Sequence, residues 1–291
     1  MKETNIEMIT KKVEWSEQNY PKVLLQYEKV PKTLYYRGRL PEAGCPTVAI
    51  VGARACSNYG RLYARKWAKE LSQAGVQIIS GMARGIDTYA QLGALEGGTP
   101  TFAVLGCGVD YCYPEENIEL YRDIIRSGGG ILSEYKEGEK PLAWHFPQRN
   151  RIISGLADLV VVIEAKPKSG SLITVEWALE QGKDVMAMPG PIGEPLNEGC
   201  NQLIRAGAGI VTCVEDILEL LQIQEKPAGE RMIKLEPLQK EIYEALGNGT
   251  KTVEELVAAT GLEFGTVLEA LFQLQKCKMV HQVMGQYYER K

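Results

Sequence analysis

Residues 145–155, with the sequence HFPQRNRIISG, place an aromatic ring, two guanidinium groups and an amide directly before a strand-like run. A base can stack on Phe146 while Arg149 and Arg151 fork onto phosphate oxygens, so these groups can hold a nucleic-acid strand. Because a residue before proline avoids the helical region, Pro147 predicts that Phe146 is extended. The same letters also suit a buried phenylalanine and a helix start with surface arginines, and this segment alone leaves both interpretations open.

Three loops that could hold anions follow predicted strands. The loop at 52–60, GARACSNYG, opens a predicted helix whose free N–H groups and partial positive charge should attract an anion beside Arg54. The loop at 80–87, SGMARGID, carries Arg84, and the loop at 166–171, KPKSGS, carries Lys168. A solvated helix face after a tight turn explains any one of these loops equally well. Three together are harder to attribute to chance, which favours an anion-binding surface.

The elements that would position these loops are strands alternating with amphipathic helices. Seven apolar runs are interpreted as strands, at residues 48–51, 76–80, 101–105, 131–134, 159–164, 184–187 and 210–212. Their interiors are apolar almost throughout, as expected for strands that are buried on both faces of a parallel sheet. The pattern predicts an α/β, doubly wound, mostly parallel, Rossmann-like sheet that binds ligands at the carboxyl ends of its strands.

Composition argues against several functional classes. The chain has 291 residues and a formal net charge of -4, so affinity for nucleic acid must come from a local basic patch. Its seven cysteines contain no CxxC pair and its histidines, His145 and His281, are far apart, which disfavours a metal site and a Ser/His/Asp relay. No Walker motif is present, and no complete GxGxxG follows the first strand. We therefore expect no cofactor, no metal and no catalysis.

Targeting signals are also missing from the sequence. No apolar run is long enough to span a bilayer, and the N-terminal residues lack the apolar core of a signal peptide. The sequence therefore predicts a cytoplasmic protein with no membrane partner.

Six motifs together resemble the DNA-processing protein DprA family, also called Smf, along nearly the whole of residues 20–221. They are VGAR at 51–54, SGMARGID at 80–87, FPQRNRII at 146–153, SGSLIT at 169–174, MPG at 188–190 and GCNQLI at 199–204. The resemblance implies an extended Rossmann domain that binds single-stranded DNA and forms a homodimer. It also implies that the protein protects incoming DNA and loads the RecA recombinase during natural transformation.

The resemblance further implies which residues form the strand-binding pocket. Position by position, the implied set is Gly52, Ala53, Arg54, Arg84, Phe146, Arg149, Asn150, Arg151, Lys168, Ser169, Gly170 and Ser171. Two positions depart from the family pattern, because Ala53 stands where the family often has serine and Gln91 where it often has histidine. Ala53 lacks a hydroxyl, so hydrogen bonds to phosphate there would have to come from backbone N–H groups, whereas Gln91 can still donate and accept.

The predicted organisation has four parts. They are a lead-in at 1–40 with no SAM-like domain, the Rossmann-like DNA-binding domain at 41–221, a linker at 222–234 and a winged-helix domain at 235–291. The winged-helix prediction rests on helical spacing at 238–246, 253–259 and 264–275. It also rests on Thr252 as an N-cap ahead of Glu255 and on a hairpin that turns at Gly285.

The predicted winged helix is poorly equipped to read duplex DNA. Its third helix and the residues after it contain only two cations, Lys276 and Lys278, and one acidic residue, Glu269. Because phosphate contacts supply most of the affinity for DNA, a recognition helix would need more positive charge. A contact with protein, or with the other domain, is therefore favoured.

Two function classes remain open from the sequence. The favoured one is a non-catalytic, single-strand-binding recombination mediator. The alternative is a nucleotide-processing enzyme resembling the LOG phosphoribohydrolases, with Thr174 and Glu176 in the positions of their catalytic turn. Such enzymes place a Gly-Gly pair before the threonine, where this chain has the sequence SGS at 169–171.

Overall fold

Two units make up the structure, a computed structural model that describes residues 8–223, 237–247, 249–276, 279–283 and 286–290. They divide the chain into Met1–Gln224 and Glu225–Lys291. The predicted linker at 222–234 lies outside the described residues except for its first two positions. Within the described part of the chain, no helix is both long and apolar enough to cross a membrane.

The first unit is built on one mixed sheet. Its described strands are β1 (Lys11–Glu14), β2 (Thr33–Gly38), β3 (Thr47–Val51), β4 (Gln77–Ser80), β5 (Thr101–Val104), β6 (Gly130–Ser133), β7 (Leu159–Val162), β8 (Asp184–Ala187) and β9 (Gly209–Ile210). Their spatial order is β1-β2-β6-β5-β4-β3-β7-β8-β9. In this spatial order, every pair of neighbouring strands between β6 and β9 is parallel. β2 pairs antiparallel with β6, and β1 pairs antiparallel with β2 at the edge of the sheet. This confirms the predicted doubly wound, mostly parallel α/β fold.

Apolar side chains bury the central strands on both faces. Every residue of β3 and of β7 is buried. Because side chains alternate along a strand, Ala49 and Val51 pack into the core on one face of the sheet, and Val48 and Ile50 into the core on the other. Val51 pairs with Val162, so β3 and β7 end at the same edge of the sheet.

The strand order reverses beside β3. β4 lies on one side of β3 and β7 on the other, although β7 comes much later in the chain. In doubly wound sheets, ligands bind in the crevice outside the carboxyl ends of the strands at such a reversal. The loops after β3, β4 and β7 are the three that the sequence predicted to bind anions, and the topology makes them neighbours.

The described part of the predicted lead-in, residues 8–40, contributes two strands to the main sheet. β1 pairs with β2, and β2 pairs with β6, so this segment extends the main sheet. Neither strand was predicted, because each is short and mixes apolar with charged and polar residues. Val13 and Leu34 nevertheless pack into the core, with exposures of 2% and 0%.

Helices cover both faces of the sheet. They are α1 (Asn58–Gln73), α2 (Ile86–Gly97), α3 (Ile118–Arg126), α4 (His145–Leu156), α5 (Gly170–Glu180), α6 (Pro195–Arg205) and α7 (Val214–Leu220). The prediction that Phe146 is extended was wrong, because it lies in the first turn of α4. Pro147 is the third residue of that helix, where backbone N–H groups have no acceptor within the helix, so a proline there breaks no helical hydrogen bond.

The second unit contains three described helices, α8 (Pro237–Leu246), α9 (Val253–Thr260) and α10 (Phe264–Lys276). They pack with antiparallel strands in the order β10 (Lys251–Thr252), β12 (Tyr287–Arg290) and β11 (Val280–Val283). The Thr252 hydroxyl accepts from the Glu255 N–H and the Glu255 carboxylate from the Thr252 N–H, as predicted. The turn predicted at Gly285 lies outside the described residues, and the winged helix stays a prediction.

Candidate nucleic-acid interface

A groove of about 760 Å³ lies at the carboxyl ends of the central strands. The turn after β3 forms one wall, with Gly52, Ala53 and Arg54, and the first turns of α4 form another, with Phe146. The loop at 166–171, between β7 and α5, closes the third side. The topology thus brings together segments that are more than a hundred residues apart in the chain.

Phe146 is half-buried in this groove and is held from several sides. The Cζ atom of Arg54 lies 5.6 Å from the centre of its ring, and the Tyr113 ring lies 5.3 Å away at an interplanar angle of 36°. A Cβ atom at Gly106 would come within 3.0 Å of the ring, so the loop after β5 packs closely beneath it. The indole of Trp177 donates to the Pro147 carbonyl and fixes this turn of α4. Phe146 is therefore a positioned ring that can receive a base.

The sequence predicted Arg149 to be a phosphate ligand. In the structure its side chain lines the groove, but its guanidinium forms internal hydrogen bonds. It is 4% exposed, and its guanidinium donates to the carbonyls of Gly81 and Val104, at the ends of β4 and β5. Burial lowers the pKa of Arg149 to about 10, opposed by the charge of Asp87, so the group stays positive at neutral pH. A Cβ atom at Gly81 would lie 2.7 Å from the guanidinium, which explains the glycine there.

Asp87 completes this buried arrangement. Its carboxylate accepts from the N–H groups of Gly81 and Ala83, and burial raises its pKa while Arg149 opposes the rise. The hydrogen bond from Arg149 to the Gly81 carbonyl ties the loop after β4 to α4, and the charge of Asp87 favours the buried guanidinium. These contacts indicate a structural role for Arg149, and its contact with phosphate stays a prediction.

Asn150 and Arg151 also form internal contacts. Asn150 accepts from the Nε of Arg149 and donates to the Gly170 carbonyl, which links α4 to the start of α5. Arg151 forms a two-bond ion pair with Glu134, at 2.7 and 3.1 Å, and its side chain is only 10% exposed. Arg151 lines neither cavity at this edge of the sheet, so the structure gives no support to its predicted contact with phosphate.

The N-terminus of α1 already holds an anion of the protein itself. Glu164, buried just beyond β7, accepts from the backbone N–H and the hydroxyl of Ser57, the N-cap residue. A Cβ atom at Gly60 would lie 2.4 Å from this carboxylate, so only glycine lets the helix approach it. The Ala53 N–H is likewise occupied, because it donates to the Glu164 carbonyl. The Glu164 side chain therefore occupies the N-cap of this helix, and an external anion beside Arg54 stays a prediction.

The N-terminus of α5 is different. Ser169 is its N-cap, its first turn contains no acidic residue, and Gly170 has open space around its Cα. Lys166 and Lys168 are exposed on the same loop, and both line the groove with Ser171. Backbone N–H groups, the helix dipole and two cations therefore converge here, which is the arrangement that binds phosphate.

Neither Arg84 nor Gln91 lines the groove. Arg84 is exposed but forms a two-bond ion pair with Glu116, both contacts at 2.9 Å. Gln91 is fully buried and donates to the Phe102 carbonyl.

A second cavity, of about 490 Å³, adjoins the groove. The two share the residues Arg54, Ala83, Tyr113, Phe146 and Arg149. Its remaining wall comes from the loop after β4 and from residues 114–116. The sequence did not predict that Tyr113 lies at this site, because only the fold brings it beside Phe146.

Little in this region resembles a catalytic centre. Among the described residues no cluster of histidine, cysteine, aspartate or glutamate could hold a metal ion. Thr174 lines the groove, but Glu176 lines neither cavity. The two residues required by the LOG-like alternative are therefore not brought together in the groove.

Comparison with known proteins gives consistent matches. The model of a family described as DNA recombination-mediator protein A matches residues 11–222. DNA processing protein DprA of Streptococcus pneumoniae is 48% identical over 199 residues, which cover 68% of this chain and 70% of that protein. Protein Smf of Escherichia coli is 45% identical over 203 residues, 70% of this chain and 54% of that protein.

Solved structures agree with the sequence matches. The X-ray structure of DNA processing protein A from Streptococcus pneumoniae has a TM-score of 0.68 and 44% identity, covering 73% of this chain and 75% of that one. A structure of DNA processing protein A from Helicobacter pylori, described for its single-stranded DNA binding mode, has a TM-score of 0.65 and 29% identity, covering 73% and 95%.

Proposed function

Because this chain belongs to the DNA recombination-mediator protein A family, as its motifs predicted, and has a role in DNA processing, we propose that it binds single-stranded DNA as a recombination mediator. In this proposal it protects incoming strands and loads RecA onto them during natural transformation. It does so by binding alone, without a catalytic step or a cofactor.

The observation that carries the proposal is the placement of Phe146 in a groove lined by cations. Arg54 lies beside the ring, and Lys166 and Lys168 line the same groove next to the start of α5. A strand laid along it can stack one base on Phe146 while its phosphates meet the basic side. The net charge of -4 makes such a local arrangement necessary, because the protein as a whole repels DNA.

We expect single-stranded DNA to bind much more tightly than duplex of the same length. A base can reach Phe146 only when it is unpaired and can turn out of its stack. Three exposed cations, Arg54, Lys166 and Lys168, line the groove. Each neutralised phosphate contributes about -0.7 to the slope of log K against log salt, so three contacts should give a slope of about -2. Fluorescence anisotropy with single strands and blunt duplexes over a range of salt measures both quantities. Equal affinity for duplex, or affinity that does not depend on salt, would contradict the proposal.

The measurement with blunt duplexes also tests whether the second unit binds duplex DNA. α10 exposes Phe264 and Leu268, with exposures of 51% and 43%, on a helix that would need cations to enter a major groove. We therefore propose that this unit contacts protein and does not read duplex DNA.

We further propose that the protein forms a twofold homodimer through its first unit. Two grooves on one assembly can bind the same strand, which raises the overall affinity without any new contact in either groove. Analytical ultracentrifugation at micromolar concentration is expected to show a dimer. A strict monomer that still binds long strands cooperatively would contradict this arrangement.

A further inference from the structure

α1 carries an excess of positive charge that helix stability does not explain. Its four cations are Arg61, Arg65, Lys66 and Lys69, and no acidic residue occurs between Arg54 and Glu70. The helix dipole favours acidic residues in the first turn and basic residues in the last. α1 has no acidic residue in its first turn, and Arg61 is already its fourth residue. Because the protein as a whole has a net charge of -4, this helix is a local basic surface.

Only half of these cations are paired within the protein. Arg65 and Lys69 share one partner, Glu96 on α2, at 2.6 Å and 3.3 Å. Arg61 and Lys66 are exposed, and neither forms an ion pair with any residue in the described part of the chain. Two positive charges on α1 therefore remain available to an anionic ligand.

Aromatic rings lie beside the two unpaired cations. The Cζ atom of Arg61 is 5.5 Å from the centre of the Tyr89 ring on α2, and the Nζ atom of Lys66 is 5.9 Å from that of Tyr63. Tyr59, which is 50% exposed, contacts Tyr63 with ring centres 4.5 Å apart. On rings interleaved with cations, a single strand can stack its bases while its phosphates meet positive charge. This combination favours a nucleic-acid strand over a simple anion.

The unpaired cations of α1 continue from the groove. Arg54 lines the groove, and the turn that carries it leads directly into α1. Arg61 forms a hydrogen bond with the Cys56 thiol within that turn, so it lies at the groove end of the helix. With a rise of about 1.5 Å per residue, Lys66 is about 7.5 Å further along, or about two phosphate steps of a stacked strand. A strand that leaves the groove past Arg54 therefore meets Arg61 and then Lys66.

We propose that a second contact site for single-stranded DNA lies on α1, outside the groove. This site, the α1 strip, consists of Tyr59, Arg61, Tyr63, Lys66 and Tyr89. It binds about two of the nucleotides that follow those held in the groove, with their phosphates on Arg61 and Lys66 and a base stacked on Tyr59. The inference rests on the proposed binding of single-stranded DNA and extends the length of strand that one chain covers.

Strand length separates the α1 strip from the groove. A thymidine tetranucleotide is short enough to be held by the groove alone, whereas a ten-nucleotide thymidine strand also reaches the α1 strip. Three contacts in the groove give a salt slope of about -2, so two further contacts should take the slope for the longer strand to about -3.4. Anisotropy with the full chain over a range of salt measures both slopes. Equal slopes for the two lengths would overturn the inference.

A double variant, Arg61→Gln with Lys66→Gln, assigns the difference to α1. At about 0.1 M salt, a slope of about -0.7 per contact corresponds to about fivefold in affinity. The variant should therefore bind the ten-nucleotide strand about 25-fold more weakly than the wild type and bind the tetranucleotide within about twofold of it. Both side chains are exposed, so the melting temperature should hardly move.

A second double variant, Lys29→Gln with Lys183→Gln, serves as the control. It makes the same change in net charge, and each lysine also lies over an aromatic ring, Trp177 or Tyr27, without lining the groove. It should keep the affinity for both strands within about twofold of the wild type. No loss for the ten-nucleotide strand on replacing Arg61 and Lys66, or losses that are equal for the two lengths or for the two double variants, would overturn the inference. Failure of the wild type to bind either strand would overturn the proposed function as well.

Discussion

Replacing Arg149 with methionine is expected to lower the free energy of unfolding by about 3–5 kcal/mol, the range for removing one partner of a buried charge pair. The variant leaves Asp87 buried without its opposite charge, and the carbonyls of Gly81 and Val104 lose a donor. Chemical denaturation followed by circular dichroism measures the change.

Arg84→Met is the matched control, because it makes the same substitution at an exposed arginine in the same region. Its ion pair with Glu116 lies in solvent, so the denaturation midpoint should hardly move. If Arg149 instead contacts phosphate, as the sequence suggested, Arg149→Met would keep the wild-type stability. Its salt slope for DNA binding would then become shallower by about 0.7.

Phe146→Ala is expected to weaken binding of single-stranded DNA by about 1–3 kcal/mol, with the salt slope nearly unchanged. The ring supplies stacking, which does not release counterions. Arg54→Ala should also weaken binding, but it removes a charge, so the slope should become shallower by about 0.7. Anisotropy titrations over a range of salt separate the two effects.

Phe146→Tyr is the control for this pair of variants, because it keeps an aromatic face of the same size and should keep most of the affinity. The half-buried position of Phe146 predicts that Phe146→Ala still folds. A Phe146→Ala protein that unfolds at a much lower temperature would show that the ring serves the core. One that keeps full affinity for DNA would show that the base stacks elsewhere.

Much of the scaffold could be predicted from the sequence. The seven predicted strands occur, with ends that differ by no more than a few residues, because continuous apolar runs between turn residues are a local signal of buried parallel strands. The edge strands β1 and β2 were missed, since their burial depends on the partner strand β6 and not on their own pattern. The helix start at Phe146 was one of the two interpretations that the sequence left open, and Pro147 wrongly favoured the extended one because the rule for residues before proline is weak in the first turn of a helix.

The site was predicted less completely than the scaffold. The sequence identified Arg54, Phe146 and the loop at 166–171, and all of them line the groove. It treated Arg149, Arg151 and Arg84 alike, as cations available to phosphate. In the structure Arg151 forms an ion pair with Glu134, and Arg84 forms one with Glu116. Arg149 is buried, and the nearby charge of Asp87 favours its positive form.

Sequence by itself determined the kinds of group that this protein can use and the strand ends from which they project, because periodicity and turn residues act over a few neighbouring positions. Only the tertiary structure decided which charges remain available. Glu164 reaches the N-terminus of α1 from a segment just beyond β7 that is distant in the chain, and Asp87 interacts electrostatically with Arg149 from another helix. The cost of burying a charge makes such pairing necessary, and the partner is chosen by packing between segments that no local pattern connects.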